Sequence, residues 1–140
     1  DAKVGRAPSI RQFENYVGIL LGRRPEACDM VGHCGKQYVT EADGSVYCCD
    51  FYVLDEYRLG NFHEHTLEEM DRAREEKHFI EESLIKPEAC QECQYASLCR
   101  GGCRRTRQEE NGYRQYFCKS YQMFFDRCLP DLVEIARRIR

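Results

Sequence analysis

The chain has 140 residues, a net charge of −3 and a pI near 5.9, with 42% hydrophobic residues, 32% charged residues and ten cysteines. That length is one domain, and the acidic balance argues against a general nucleic-acid binder. No run reaches the length needed to cross a membrane and no signal-peptide pattern is present, so a cytoplasmic protein is expected and disulfides are the minority reading of the cysteines. The start, Asp1-Ala2-Lys3-Val4, reads as the interior of a larger polypeptide. Because the cysteines are counted among the apolar residues, the core available without metal is thin. Residues 64–82 look too polar to pack unaided, and coupling of metal binding to folding is expected.

In chain order, the first predicted element is an amphipathic helix. Ile10, Phe13, Val17, Leu20 and Leu21 recur at helical spacing between Pro8-Ser9 and Gly22, so Ser9 is predicted as its cap and Gly22 as its stop. The apolar stripe is read as core packing. Residues 37–41 and 46–49 are β-prone and flank Ala42-Asp43-Gly44-Ser45, where Asp-Gly predicts a hairpin. That hairpin would bring Cys49 and Asp50 to the end of one strand, with Cys34 just ahead of the other.

Thr66-x-x-Glu69 predicts a capping box opening a helix that runs to about Ser83 with one break. Its charges read as solvated faces and i,i+4 pairs. With thiolates so plentiful, His63, His65 and His78 read as surface residues. Residues 86–107 form a loop-rich region in which Gly101-Gly102 lets the backbone pass close to a cofactor. Residues 115–127 read as a helix with an aromatic stripe of Phe117, Tyr121, Phe124 and Phe125, extended by Cys128. Pro130 is predicted in the first turn of a separate last helix ending in Arg137, Arg138 and Arg140.

The chemistry lies in Cys90-x2-Cys93-x5-Cys99-x3-Cys103, with Cys118 beyond it and Cys28, Cys34, Cys48 and Cys49 upstream. Thiolates at such spacing converge on soft metal centres, zinc or iron–sulfur. Taken alone, Cys90, Cys93, Cys99 and Cys103 look like one complete site. In two-cluster ferredoxins, however, the fourth cysteine of a tight run ligates the other cluster, so spacing leaves the partition open. The basic run Arg100-Gly-Gly-Cys-Arg-Arg-Thr-Arg107 is interleaved with these ligands, and its guanidinium groups would offset the negative charge of a four-thiolate cluster.

The pattern Cys34, Gly44, Cys49, Cys90-x2-Cys93-x5-Cys99-x3-Cys103, Cys118 resembles the SPASM domain, the C-terminal extension of many radical SAM enzymes that carries auxiliary iron–sulfur clusters. More narrowly, residues 37–57 and Leu98-Cys99-Arg100-Gly101-Gly102-Cys103-Arg104-Arg105 resemble anaerobic sulfatase-maturating enzymes, the likeness running from about Ser9 to Phe125. The resemblance implies two [4Fe–4S] clusters, one held by Cys28, Cys34, Cys49 and Cys103 and the other by Cys90, Cys93, Cys99 and Cys118. It implies an α+β fold, small and loop-rich, with a β-hairpin plus several helices organised around those two four-cysteine metal clusters. The corresponding organisation is a helical lead-in from a catalytic barrel (1–25), the auxiliary-cluster domain (26–128) and a C-terminal helix (129–140). Cys48, where the family commonly has proline, and Cys128 fall outside the ligand scheme and read as small buried hydrophobes.

The resemblance also assigns Asp50, directly after the third ligand of the first cluster, as the proposed general base. A carboxylate partly desolvated beside a cluster can be tuned for that task; on residues alone, it reads as a strand-terminating aspartate. The family converts a Cys or Ser of an unfolded sulfatase polypeptide to Cα-formylglycine, using S-adenosylmethionine and a third [4Fe–4S] cluster in the catalytic radical SAM domain of the same chain. These 140 residues contain no Cys-x3-Cys-x2-Cys, since Thr106 stands where the third thiolate would fall after Cys99-x3-Cys103. They are therefore expected to be inactive alone and to serve in cluster housing, electron transfer and peptide binding. The alternatives are the same domain in an enzyme modifying another peptide, or a zinc-binding interaction module, with zinc also able to substitute in an isolated fragment.

Overall fold

The computed structural model describes residues 8–107 and 109–139. Among them the chain forms α1 (Arg11–Leu20), α2 (Cys28–Val31), β1 (Val39–Thr40), β2 (Ser45–Tyr47), β3 (Arg58–Asn61), α3 (Leu67–Glu76), α4 (Phe79–Leu84), α5 (Glu88–Gln91), α6 (Ala96–Cys99) and α7 (Cys118–Ile139). This is an α+β architecture of short helices and one small antiparallel sheet. No described helix is long and apolar enough to cross a membrane.

The sheet grows from its first turn. Gly44 takes φ 81° and its N–H closes on the Glu41 carbonyl, while Asp43 Oδ1 accepts the Ser45 N–H at 2.9 Å. A left-handed glycine after a tight turn is the usual way to close a three-residue hairpin loop. β2 lies in the centre, with Val39 of β1 opposite Tyr47 and Ser45 opposite Asn61 of β3. The third strand has no counterpart in the sequence reading, because Arg58-Leu59-Gly60-Asn61 lacks a β-prone run and is recruited by pairing. A register shift there pairs Val46 with Gly60 and Tyr47 with Arg58, leaving Leu59 as the bulged residue, buried beneath the sheet.

Two cores result. Tyr16, Val17, Met30, Tyr95, Leu98, Phe125, Leu132 and Ala136 join α1, α6 and α7; Val46, Cys48, Leu59, Met70 and Phe79 seat the sheet on α3 and α4. Residues 64–82 are thus not merely a solvated face, since they supply Met70 at 0% and Phe79 at 1% exposure. A short helix against a small sheet needs only one or two large apolar contacts to be buried. The buried Arg74 completes that packing: it pairs with Asp71 at 2.6 Å, donates to the Gln37 carbonyl and lies 4.6 Å over the Tyr38 ring.

The capping box forms as predicted. Glu69 N–H donates to Thr66 Oγ1 at 3.3 Å and Thr66 N–H donates to Glu69 Oε2 at 2.8 Å. The break expected in this helical segment falls at Lys77–His78, where His78 takes φ 49°. Thr66→Ala is expected to lower stability by about 1 kcal/mol, read as a lower urea midpoint at unchanged slope in the intact protein.

Three expectations are corrected. Ile10 rather than Ser9 occupies the N-cap of α1, and Ser9 Oγ donates instead to Glu14 Oε1 at 2.7 Å; Gly22 does stop the helix, at φ 78°. Ile10 and Phe13 stay 45% and 42% exposed, Phe13 stacking on Phe124 at 5.8 Å. Finally, α7 is one 22-residue helix with Pro130 inside it, not two helices. Proline forfeits one backbone hydrogen bond, and burial of Phe125 before it and of Leu132 and Ala136 after it holds both halves on α1 and α6. Arg140 lies outside the described residues.

Candidate metal centres

The cysteines gather around two separate cavities. Cys28, Cys34, Cys49 and Cys103 line the first, with Cys48, His33, Phe51, Tyr52, Phe79 and Arg104. Cys28 opens α2, whose C-cap Gly32 has φ 82°, and a Cβ there would overlap the Arg100 carbonyl. Only glycine lets the chain turn back here to present Cys34. The Cys34 N–H is fixed by Ser83 Oγ at 2.8 Å, and Cys49 follows β2 directly.

Cys90, Cys93, Cys99 and Cys118 line the second cavity, with Tyr95, Gly101, Arg114 and Gln115. Cys90 lies on α5, Cys99 ends α6 and Cys118 opens α7. Each cavity borders a different core: Cys93 and Cys99 pack against the α1–α6–α7 core, and Cys34 and Cys49 against the sheet core. The four cysteines that the family resemblance groups in each set thus border one cavity, with Cys48 as an additional wall residue of the first.

Cys99 and Cys103, close in sequence, fall into different cysteine groups, though both also border a third cavity between α1, α6 and the start of α7. Arg100, Gly101 and Gly102 take successive positive φ values of 52°, 80° and 63° after α6, which reverses the chain between them. The glycines therefore serve chain direction first. A Cβ on Gly101 would meet the Lys86 side chain at 2.9 Å, and one on Gly102 the Gln115 side chain at 3.3 Å.

Electrostatics follow the same partition. Burial pushes the Cys28 thiol up, as does the neighbouring Cys103; burial raises Cys34 too, with Cys103 and Cys28 adding to it. Burial drives Cys49 up to about 12, reinforced by Asp50 and Cys34. In the second cavity burial raises Cys90 and Cys99, and each is raised further by Cys118 and Cys93. Thiols whose ionisation burial opposes, as at Cys28, Cys34, Cys49, Cys90 and Cys99, become thiolates most readily when a cation lies in their midst, as metal binding provides.

The donor sets fit iron–sulfur clusters. Among the described residues, no three His, Cys, Asp or Glu side chains converge as they would on a single ion. Each cavity offers several soft thiol donors, the type that zinc and iron–sulfur centres both take.

The remaining sequence candidates are placed as follows. Asp50 begins a 3-10 turn after β2, and its Oδ1 accepts a hydrogen bond from Cys49 Sγ at 3.2 Å. It is exposed rather than partly desolvated. Cys48 is buried in the sheet core and, like Cys49, lines the first cavity; Cys128 is half-buried on α7. His63 and His65 lie beside the sheet, and with His78 they line neither cysteine cavity. His33, which sequence reasoning missed, does line the first, its Nδ1 lying 3.0 Å from the Cys34 carbonyl; its place beside Cys34 was the available signal.

Residues 28–94 match the SPASM family, described as an iron-sulfur cluster-binding domain. The chain carries a SPASM domain. It is 42% identical over 138 residues, 96% of this chain and 37% of the relative, to a cysteine-type anaerobic sulfatase-maturating enzyme of Clostridium novyi. A serine-type anaerobic sulfatase-maturating enzyme of Bacteroides thetaiotaomicron is 36% identical over 127 residues, 86% of this chain and 30% of the relative. The solved structure of native anSMEcpe with bound AdoMet superposes with a TM-score of 0.87 at 42% identity, covering 100% of this chain and 39% of that one. A second structure of that protein, with AdoMet and the Cp18Cys peptide, superposes with the same score and identity over 100% of this chain and 40% of that one. The chain thus spans about two-fifths of the length of these relatives.

Proposed function

We propose that this chain is the auxiliary-cluster portion of a radical SAM enzyme that oxidises a Cys or Ser of sulfatase polypeptides to Cα-formylglycine. The observation that carries the reading is the grouping of nine cysteines around two cavities, five lining the first and four the second, in a chain similar over nearly its full length to sulfatase-maturating enzymes. Cys28, Cys34, Cys49 and Cys103 would hold one [4Fe–4S] cluster, and Cys90, Cys93, Cys99 and Cys118 the other. When bound, such clusters supply one-electron redox chemistry. S-adenosylmethionine and a third cluster belong to the catalytic domain, which lies outside these residues.

The chain's own residues supply a binding surface and a base. Asp50 is accessible and sits next to a ligand of the first cavity. Phe51, 57% exposed beside it, offers apolar contact to an extended peptide. Asp50 accepts the proton that the target side chain gives up as it is oxidised, and its exposure lets the peptide reach the carboxylate directly. The burial at Cys49 and the exposure at Asp50 are therefore complementary: a sheltered ligand next to a reachable base.

Anaerobic measurement of iron, sulfide and zinc with a visible spectrum tests the cluster assignment. About eight irons and eight sulfides are expected from the two auxiliary centres, beyond those of the catalytic domain; zinc alone after reconstitution with iron and sulfide would sink it. Asp50→Asn in the intact enzyme should keep its iron yet slow formylglycine formation by about 10²–10⁴-fold. Normal turnover in that variant would remove Asp50 from the mechanism.

A further inference from the structure

Two cations stand between the cysteine cavities without a carboxylate partner. Arg107 Nε donates to the Gly101 carbonyl at 3.1 Å; Nη1 donates to Ser83 at 2.9 Å and Ile85 at 3.0 Å, and Nη2 to Gly32 and Gly102, both at 3.0 Å. Lys86 Nζ donates to the carbonyls of Gly32 and Ser83, so the two side chains share acceptors. Neither makes an ion pair among the described residues.

These carbonyls belong to the segments that carry the ligands. Gly32 lies between Cys28 and Cys34, Gly101 and Gly102 lie between Cys99 and Cys103, and the hydroxyl of Ser83 holds the Cys34 amide. Burial disfavours the charge on Arg107, and Cys34 and Cys103 of one set and Cys90 of the other offset that. Burial and the adjacent guanidinium act likewise on Lys86, offset by Cys90, Cys34 and Cys99. Two adjoining half-buried cations repel unless negative charge faces them, and the ionised thiolates of the two cavities are the groups placed to provide it.

We propose that Arg107, backed by Lys86, is a shared counter-charge and backbone clamp that couples the two cysteine centres, so that filling one favours filling the other and both sit at higher reduction potential. The inference rests on the iron–sulfur reading of those centres. Arg107 ties the Gly32 and Gly101–Gly102 backbone of both ligand-bearing segments together, so a centre that fixes its own ligands in place also holds the backbone that presents ligands to the other. The positive charge then lies between two anionic groups and favours an added electron at each.

The test compares Arg107→Gln, Arg107→Lys and Lys86→Gln in the intact protein, reconstituted anaerobically with iron and sulfide. It reads iron retention against a chelator and the midpoint potentials of both auxiliary centres by spin resonance. Arg107→Gln should weaken retention at both centres by about 10–100-fold, as loss of an outer partner of a metal ligand does. Both potentials should fall, by about 59 mV for each tenfold change in a one-electron equilibrium. Arg107→Lys should restore the potentials but not the retention, because one ammonium cannot span five carbonyls. Lys86→Gln should lower both potentials with iron still bound, and it decides the matter if Arg107→Gln does not fold. Unchanged potentials in both glutamine variants, or a shift confined to one centre, would overturn the coupling. Wild-type protein that takes up no iron and sulfide overturns the cluster reading itself, a distinct result.

Discussion

Cys103→Ala in the intact, anaerobically reconstituted protein is expected to lose one auxiliary centre, about four irons and four sulfides, and to keep the other. Cys103 shares its cavity with Cys28, Cys34 and Cys49, while Cys99, at the other end of the same short motif, lines the second cavity. Pairing the variants makes the assignment decisive. Cys28→Ala combined with Cys103→Ala should lose no more iron than either alone, because both act on one centre. Cys28→Ala combined with Cys99→Ala should lose both. Additive losses from the first pair would mean that spatial partition does not govern ligation. Cys103→Ala should also lower the melting temperature, since that centre ties the hairpin and α2 to the loop after α6, and metal-binding free energy is folding free energy in such small domains.

Phe125→Ala is expected to cost about 3–5 kcal/mol. The ring is 1% exposed and meets Tyr16 edge-on at 5.0 Å, Tyr95 at 5.3 Å and Phe124 at 5.4 Å, so its removal opens a hole where α1, α6 and α7 converge. Cys93 and Cys99 pack against this core, and the second centre should lose iron to a chelator faster as a consequence. The urea midpoint of the intact protein reads the first effect and timed iron release the second. Phe117→Ala is the control from the same predicted aromatic stripe. Phe117 is 52% exposed, and its loss should fall within about 0.5 kcal/mol. Equal costs at the two positions would contradict the packing of α7.

Elements with strong local signals were legible in advance. The Thr66–Glu69 box, the Asp43-Gly44 turn and the Gly22 stop each rest on interactions within a few residues, and each forms where the residues indicate. Ser9 was misread because Ser9-Ile10 offers two registers for the cap, and Glu14 draws the hydroxyl away. Elements that depend on distant partners were not legible. β3 exists because β2 has an open edge beside it, and Pro130 stays inside α7 because burial on both sides outweighs one missing hydrogen bond. The place of Arg107 was hidden for the same reason. A basic run predicts compensating charge, but only contact with Gly32 and Ser83 puts that charge between two cavities.

By itself the sequence determined the donor chemistry: ten cysteines at spacings that suit a soft metal centre, zinc or iron–sulfur, eight of which the family resemblance singles out as cluster ligands, with a hairpin and a capped helix to carry them. Thiolate softness and local turn preferences are properties of residues and short segments, so they survive without coordinates. Only the tertiary structure decided how those thiols divide in space. The division depends on the chain reversal at Arg100–Gly102 and on two separate cores that hold the walls apart. Spacing along a chain constrains which ligands are near, whereas the direction in which each side chain points is set by backbone dihedrals and long-range packing.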